Sequence, residues 1–167
     1  ALIQGEWTTI EIVTVTSATS SILFDGLTTG KDYRVRWKDV DITGDGIVRT
    51  TFQESGTAIN MAQIRQTFYP TTLGTNHTSG ATFIDWNYDQ YLVGATGEGF
   101  IILHNTNQTN SWCEGKGYQK HSDTGYGGKI LIATSPQTAG QKINELLFSS
   151  GGSTFAAGTF ILEELNE

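Results

Sequence analysis

The sequence contains a single cysteine and only two prolines in 167 residues. Because a disulfide needs two thiols, Cys113 cannot form one within the chain, and we interpret it as a reduced thiol without a functional role. No apolar run reaches the length that crosses a membrane, and the sequence starts at Ala1 without a recognisable secretory leader. We therefore expect a protein that is made in the cytosol, is not secreted and does not enter a membrane.

Charged residues are also scarce, at 16% of the sequence, and acidic residues outnumber basic ones by 17 to 10. The net charge of −7 argues against nucleic-acid binding, which needs clustered lysine and arginine to neutralise phosphates. The low charged fraction has two interpretations, which the sequence leaves open. Either partner proteins cover much of the surface, or threonine, serine and asparagine solvate it.

The motifs that carry common enzyme chemistry are missing. The three histidines, His77, His104 and His121, are not spaced as metal ligands, and no Gly-x-Ser-x-Gly motif occurs among the many serines. Asp85 and Asp89 flank aromatic residues, as glycosidase carboxylates often do, but sequence spacing does not give the separation of their carboxyl groups. We expect no enzyme activity and no cofactor.

Residues 39–46 (Asp-Val-Asp-Ile-Thr-Gly-Asp-Gly) are similar to the start of a calcium-binding EF-hand loop. Position 12 of such a loop would be Thr50, where a bidentate glutamate is required, and the following residues have the character of a strand rather than a helix. We therefore predict a hairpin turn without a metal. Whether Asp39, Asp41 and Asp45 hold an ion in a looser site stays open.

Short β-rich segments separated by turn signals dominate the sequence. Thr8–Thr16 is almost entirely β-branched and has apolar residues on both faces, which suits a strand between a core and a neighbouring subunit. Residues 33–38 alternate strictly, which predicts Tyr33, Val35 and Trp37 in the core and three basic residues outside. These basic residues either pair with acidic neighbours or form a contact row for an acidic partner.

About nine short strands are predicted in total. The only candidate for a short helix is Thr57–Gln66, whose apolar residues have near-helical spacing, and residues 71–80 have the composition of a surface loop. Asn144–Leu165 is predicted to form a closing β-hairpin, with Gly151 and Gly152 in its loop. The overall pattern indicates an all-β fold, an antiparallel sandwich or barrel.

Two segments resemble a known family. Phe24–Leu27 followed by Tyr33–Val40 has a short apolar strand, an aromatic-anchored strand and an Asp-rich turn. Asn144–Leu165 has a Phe-Ser-Ser-Gly turn, a loop of small residues and Gly-Thr before an apolar strand. Together they resemble jelly-roll virion proteins of tailed phages, which include head decoration proteins and tail or fibre adhesins. The resemblance implies an N-terminal arm and first strand at 1–20 and an antiparallel jelly-roll β-sandwich at 21–167.

The function that this resemblance implies is that of a structural virion protein, assembled in the host cytoplasm. A compact chain without a long shaft favours a capsid decoration or cement protein, which binds the outside of the head and stabilises it. The expected partners are two further copies, in a homotrimer, and the major capsid protein. We expect capsid contacts from the N-terminal segment, at Ala1, Leu2, Ile3 and Trp7.

The alternative is a tail or fibre component that binds host-surface carbohydrate. Several aromatic residues lie in polar, glycine-rich surroundings, where exposed rings can stack on sugar faces. They are Trp86, Tyr88, Tyr91, Trp112, Tyr118 and Tyr126. The predicted sugar-binding residues among them are Trp86, Tyr88, Trp112 and Tyr118. A third hypothesis is a lectin-like module of a larger, non-viral enzyme.

Overall fold

Thirteen β-strands and no helix make up the part of the chain that the structure describes. The structure is a computed structural model, and it describes residues 5–44, 46–69, 72–86, 96–121 and 125–166. The strands are β1 (Glu6–Val15), β2 (Ser21–Phe24), β3 (Tyr33–Thr43), β4 (Arg49–Glu54), β5 (Thr57–Ala58), β6 (Met61–Tyr69), β7 (Thr72–Ala81), β8 (Phe83–Asp85), β9 (Gly97–His104), β10 (Trp112–His121), β11 (Gly125–Pro136), β12 (Glu145–Ser149) and β13 (Thr154–Asn166). Over these ranges no helix could span a membrane.

The strands form two antiparallel sheets that pack face to face. Sheet A has eight strands in the order β1-β13-β3-β9-β10-β11-β6-β7. Sheet B has the order β2-β12-β4-β5, and β8 also pairs with β4. Between the sheets, the ring of Phe148 in β12 lies 5.5 Å from that of Trp37 in β3 and 5.4 Å from that of Phe160 in β13. The predicted all-β antiparallel sandwich is confirmed.

The strict alternation predicted for β3 is confirmed. Tyr33, Val35 and Trp37 are 3%, 0% and 2% exposed, and they point into the core between the sheets. Val15, at the end of β1, and Phe155, at the start of β13, are also buried there. The core therefore draws on both ends of the chain as well as on its middle.

The two largest side chains of this core are tryptophans. Trp37 and Trp86 pack with ring centroids 5.2 Å apart, and the indole nitrogen of Trp86 donates a hydrogen bond to Thr50 Oγ1 at 2.8 Å. The inner surface of β9 and β10 beneath them is made of glycines, namely Gly99, Gly115 and Gly117. A Cβ atom on Gly117 would lie 2.7 Å from Cβ of Trp86, so these glycines make the space that the two indoles fill.

The predicted helix at Thr57–Gln66 is wrong, because these residues form β5 and most of β6. Two of the buried positions on β6 are polar, Gln63 and Thr67. The side-chain nitrogen of Gln63 donates a hydrogen bond to the carbonyl oxygen of Phe83 at 3.0 Å, while its side-chain oxygen is buried without a hydrogen-bond partner. Buried polar residues hide the alternation of the strand, and the remaining apolar residues then imitate helical spacing.

The predicted surface loop at residues 71–80 is also wrong where the structure describes it. Residues 72–81 form β7, which pairs with β6 and is the last strand of sheet A. An edge strand is largely solvated, so its polar, glycine-containing composition is similar to that of a loop. With β5, β6, β7 and β10, which were not among the predicted strands, the described part of the chain has thirteen strands instead of about nine.

The predicted closing hairpin does not form, because β12 and β13 belong to different sheets. β12 pairs with β2 and β4 in sheet B, whereas β13 pairs with β1 and β3 in sheet A. Gly151 and Gly152, with φ of 64° and 118°, lie in the turn that carries the chain from one sheet to the other. The predicted hairpin at residues 39–46 does not form either, because residues 39–43 are the end of β3 in sheet A and the next strand, β4, lies in sheet B.

Candidate functional site

The outer face of sheet A, the face turned away from sheet B, carries most of the exposed large apolar side chains of the described residues. Among the described residues, six large apolar side chains are highly exposed, and five of them lie on strands of this sheet. These five are Ile10, Ile12, Ile64, Leu73 and Ile132. The sixth is Leu23 on β2 of sheet B. Apolar side chains that form a continuous exposed surface are typical of interaction sites.

Half-buried residues connect the exposed ones across the sheet. Ile161, Phe100 and Ile130 lie in the same register row as Ile12, on β13, β9 and β11. Arg36 and Lys116 occupy the intervening positions of the row on β3 and β10. The outer face therefore combines a band of aliphatic and aromatic side chains with two basic ones.

β1 forms one edge of sheet A and lacks a second strand partner within the described ranges. Ile10 and Ile12 on this strand are 55% and 60% exposed, whereas Val15 points inward and is 6% exposed. The prediction that Thr8–Thr16 forms a strand with apolar residues on both faces is confirmed over β1. A β-branched edge strand without proline or lysine is an open template for contact with another chain.

Trp7 links β1 to a charged cluster on β3 and β13. The guanidinium carbon of Arg34 lies 4.6 Å from the centroid of the Trp7 ring. Glu163, which is 4% exposed, accepts hydrogen bonds from Arg34 Nε at 2.7 Å and from Arg36 Nε and Nη2 at 2.8 Å. The acidic-neighbour interpretation is confirmed for these two arginines, while Lys38, the third basic residue, is exposed.

Glu163→Gln is expected to lower the free energy of unfolding by about 2 kcal/mol at neutral pH, because it weakens three charge-assisted hydrogen bonds. The loss is not larger because both arginines can partly rehydrate. Burial alone would raise the pKa of Glu163, but hydrogen bonds from Arg36 and Arg34 outweigh it and lower that pKa. The stabilisation is therefore present above the unfolded-state pKa of about 4.3 and is lost as pH falls through the lower folded-state pKa.

Urea unfolding of the wild-type protein and Glu163→Gln over a series of pH values measures this effect. The difference between the two proteins should be largest near neutral pH and should shrink below about pH 4. A difference that stayed constant down to the acid limit would contradict the assignment of the stabilisation to the Glu163 carboxylate.

His104, at the end of β9, is fixed on both edges of its ring. Its Nδ1 lies 2.7 Å from Asp32 Oδ2, and its Nε2 lies 3.1 Å from Glu114 Oε1. Asp32 is itself held by a hydrogen bond from the backbone N–H of Asn105 at 3.0 Å. The imidazole stacks on the indole of Trp112 in β10, with centroids 4.1 Å apart and planes inclined by 16°. Trp112 therefore rests against a side chain that cannot easily rotate.

A groove of about 540 Å³ lies beside Trp112 on the outer face, and we call it the Trp112 groove. Its lining comes from β10, β11, β6 and β7 and includes Trp112, Ser135, Ala62, Ile64, His77 and Thr78. β9 and β11 flank β10 on opposite sides. His104 therefore stacks on the Trp112 indole from the β9 side, and the groove lies on the β11 side of β10.

The residues that were predicted to bind carbohydrate lie in different environments in the structure. The prediction for Trp86 is wrong, since this side chain is 1% exposed in the core and its ring cannot reach a sugar. Trp112 borders the groove, and the hydroxyl of Tyr118 donates a hydrogen bond to Glu98 Oε2 at 2.7 Å. Tyr88, Tyr91 and the side chain of Tyr126 lie outside what the structure describes.

The predicted capsid-contact residues are described only in part. Ala1, Leu2 and Ile3 lie outside the described residues, and Trp7 is half-buried on β1 next to Arg34. The role of this segment in binding a capsid stays a prediction.

The aspartates of the calcium-like segment are also described only in part. Asp39 is exposed, with φ of 52°, and Asp41 is half-buried with one buried carboxylate oxygen that has no hydrogen-bond partner. Asp45 lies outside the described residues. Within the described ranges, no group of three or more His, Cys, Asp and Glu residues could hold a metal ion.

Sequence reasoning missed the combination of His104, Asp32 and Glu114, and it missed the wall of the groove. The residues of these features come from strands that are distant in sequence, and only the pairing of those strands brings them together. One local signal existed: His104 and Trp112 each adjoin a buried residue, Leu103 and Cys113, so both face outward on paired strands. Without the pairing of β9 with β10, that signal could not be used.

Comparisons of the chain with family models, with curated proteins and with solved structures gave no match. The functional proposal below therefore depends on the geometry of the chain and on the sequence resemblance described above.

Proposed function

We propose that the chain is a structural virion protein of a tailed phage, and that it acts as a capsid decoration or cement protein. The observation that carries this proposal is the edge strand β1, whose Ile10 and Ile12 are 55% and 60% exposed on the outer face of sheet A. Burial of two isoleucines and of an open strand edge favours contact with another protein chain. The proposed assembly is a homotrimer formed through this edge.

The connectivity of the strands supports the proposed family. Eight strands, four from each sheet, give the orders β1-β13-β3-β9 and β2-β12-β4-β8. Numbered among themselves in chain order, they read 1-8-3-6 and 2-7-4-5, an order that supports the proposed jelly roll of eight strands in two sheets. In this interpretation β10, β11, β6 and β7 are an extension that widens one sheet beyond the jelly roll, from β9 outward.

The proposed mechanism is mechanical. Trimers on the outside of the head lie across junctions between capsomers, and the area they bury ties neighbouring capsomers together against the pressure of packaged DNA. The N-terminal segment that includes Trp7, together with one edge of the sandwich, makes the capsid contacts. No reacting group is needed for such a role, because buried contact area supplies the stabilisation.

The double variant Ile10→Lys/Ile12→Lys is expected to abolish trimer formation, because the proposed interface would have to bury two ammonium groups without partners. Both side chains are exposed on β1, so the folded chain should tolerate the change. Light scattering coupled to size exclusion should give a particle of three 18.2 kDa chains for the wild-type protein and one chain for the variant.

Leu23→Lys is the matched control for this experiment. Leu23 is 43% exposed on β2, in the other sheet, and its replacement should leave the trimer intact. A wild-type protein that is monomeric at micromolar concentration, or a trimer that survives both lysines on β1, would rule out the proposed interface.

The location within a virion is tested by counting copies. Quantitative mass spectrometry of purified virions should give a copy number of the same order as that of the major capsid protein. A much smaller number would place the chain in the tail or in a fibre and would favour the carbohydrate-binding alternative. Absence of the chain from virions would refute the proposal.

A further inference from the structure

We propose that the Trp112 groove binds an uncharged hexopyranose sugar, with the sugar ring stacked on the indole of Trp112. The groove has a volume of about 540 Å³. This lies within the range of about 300–1,000 Å³ that small-molecule sites in proteins occupy. The site would be a function additional to assembly, and it involves neither Ile10 nor Ile12.

The geometry around Trp112 provides the stacking platform. His104 covers one face of the indole at a centroid distance of 4.1 Å, and the contacts of His104 with Asp32 and Glu114 hold it in place. Trp112 also lines the groove, and the other strands that line it, β11, β6 and β7, lie on the side of β10 opposite to His104. An aromatic ring with one supported face and one open face can accept the apolar C–H face of a pyranose without rearranging.

The wall of the groove provides the polar contacts that a sugar needs. Ser79, Ser135 and His77 are among its lining residues, and their hydroxyl and imidazole groups can each donate or accept a hydrogen bond. Ile64 and Ala133 add apolar surface between these groups. Alternation of hydroxyl-binding and apolar surface matches a pyranose, which presents hydroxyls at its rim and C–H groups on its faces.

The charge of the lining selects the class of ligand. Among the described residues that line the groove there is no lysine, arginine, aspartate or glutamate. A phosphate or carboxylate in the groove would therefore have no cation to pair with, and a cationic ligand would have no anion. Moving an unpaired charge out of water is unfavourable. A neutral polyol avoids this penalty, so the groove favours an uncharged sugar.

The test measures binding of four methyl glycosides, of glucose, galactose, mannose and N-acetylglucosamine, by ligand-detected NMR and by quenching of tryptophan fluorescence. We expect at least one of them to bind with a Kd on the order of 1 mM, as the ligand efficiency of a single sugar ring allows. Trp112→Ala should weaken that binding about tenfold, because the stacking interaction is lost. Trp7→Ala changes the other half-buried tryptophan of the outer face, outside the groove, and should leave the Kd unchanged.

A second variant guards against loss of folding in Trp112→Ala. Ala133→Phe fills the groove from β11 while Trp112 remains, and it should abolish binding. Failure of all four glycosides to bind the wild-type protein would overturn the proposal, and so would binding that survives both groove variants. Because the lysine variants on β1 report on assembly and these variants report on sugar binding, failure of one proposal is distinguishable from failure of the other.

Discussion

Trp86→Ala should lower the free energy of unfolding by roughly 3–5 kcal/mol, the range found when large aromatic side chains are removed from packed cores. Trp86 is 1% exposed and contacts Trp37, with ring centroids 5.2 Å apart. Removal of the indole leaves a cavity over the glycines of β10, because neither Gly115 nor Gly117 has a side chain that could move into it. Thr50, which is fully buried, also loses the 2.8 Å hydrogen bond that its hydroxyl oxygen accepts from the indole nitrogen of Trp86.

The measurement is urea denaturation at neutral pH, followed by circular dichroism. The midpoint should fall while the slope stays constant, since the variant changes stability rather than the surface exposed on unfolding. Trp112→Ala is the matched control: it removes the same side chain from a half-buried position on the outer face and should cost much less. A loss below about 1 kcal/mol for Trp86→Ala would contradict the placement of this tryptophan in the core.

Gly117→Val is expected to lower the free energy of unfolding by about 3 kcal/mol or more, because it overfills the core instead of leaving a cavity. A Cβ atom at this position would lie 2.7 Å from Cβ of Trp86 and 3.0 Å from Cζ2 of Trp37. The first of these neighbours is attached directly to the backbone, so it cannot rotate away, and the strands themselves would have to separate. The two extra methyl groups of valine add to the overpacking.

Gly74→Ala on β7 is the control for the glycine experiment. A Cβ atom there would have no neighbour within 4 Å, so we expect unchanged or slightly higher stability. Thermal unfolding of the two variants beside the wild-type protein distinguishes the two cases. Equal stabilities of Gly117→Val and the wild-type protein would show that β10 does not lie beneath the two tryptophans.

The parts of the fold that the sequence predicted are those in which local pattern and tertiary role agree. β3 alternates because one of its faces is buried against sheet B and the other carries basic residues, and β1 is recognisable from its β-branched composition. In both strands, each residue's chemistry matches its environment. The acidic neighbour predicted for the basic residues of β3 is Glu163, which accepts hydrogen bonds from Arg34 and Arg36.

The predictions failed where tertiary structure overrides composition. Gln63 is polar and buried, so β6 did not have the pattern of a strand, and β7 is a solvated edge strand whose composition is similar to that of a loop. Trp86 was predicted to bind a sugar because polar residues and further aromatic residues adjoin it in the sequence. The glycines that make space for its ring, Gly115 and Gly117, lie in β10, far from Trp86 in sequence, and only the tertiary structure brings them together.

The candidate site was predictable only as a list of aromatic residues. Trp112 was among them, but the groove beside it needs Ile64 and His77, which come from another part of sheet A. No local pattern connects these positions, because they lie far apart in sequence and come together only through the pairing of β11 with β10 and with β6.

The position of β13 between β1 and β3 determines when the chain can fold during synthesis. Residues 6–15 and 33–43 emerge early from the ribosome, yet they are not neighbours in sheet A and meet only through the last strand. Until Phe160 and Leu162 have been made, both early strands lack their hydrogen-bonded partner and a large part of their core. Such contacts between distant parts of the chain close slowly, and the unfinished edges are prone to aggregate. Folding of this protein should therefore be largely post-translational, and an incomplete chain that stops before β13 should be a substrate for chaperones rather than a stable intermediate.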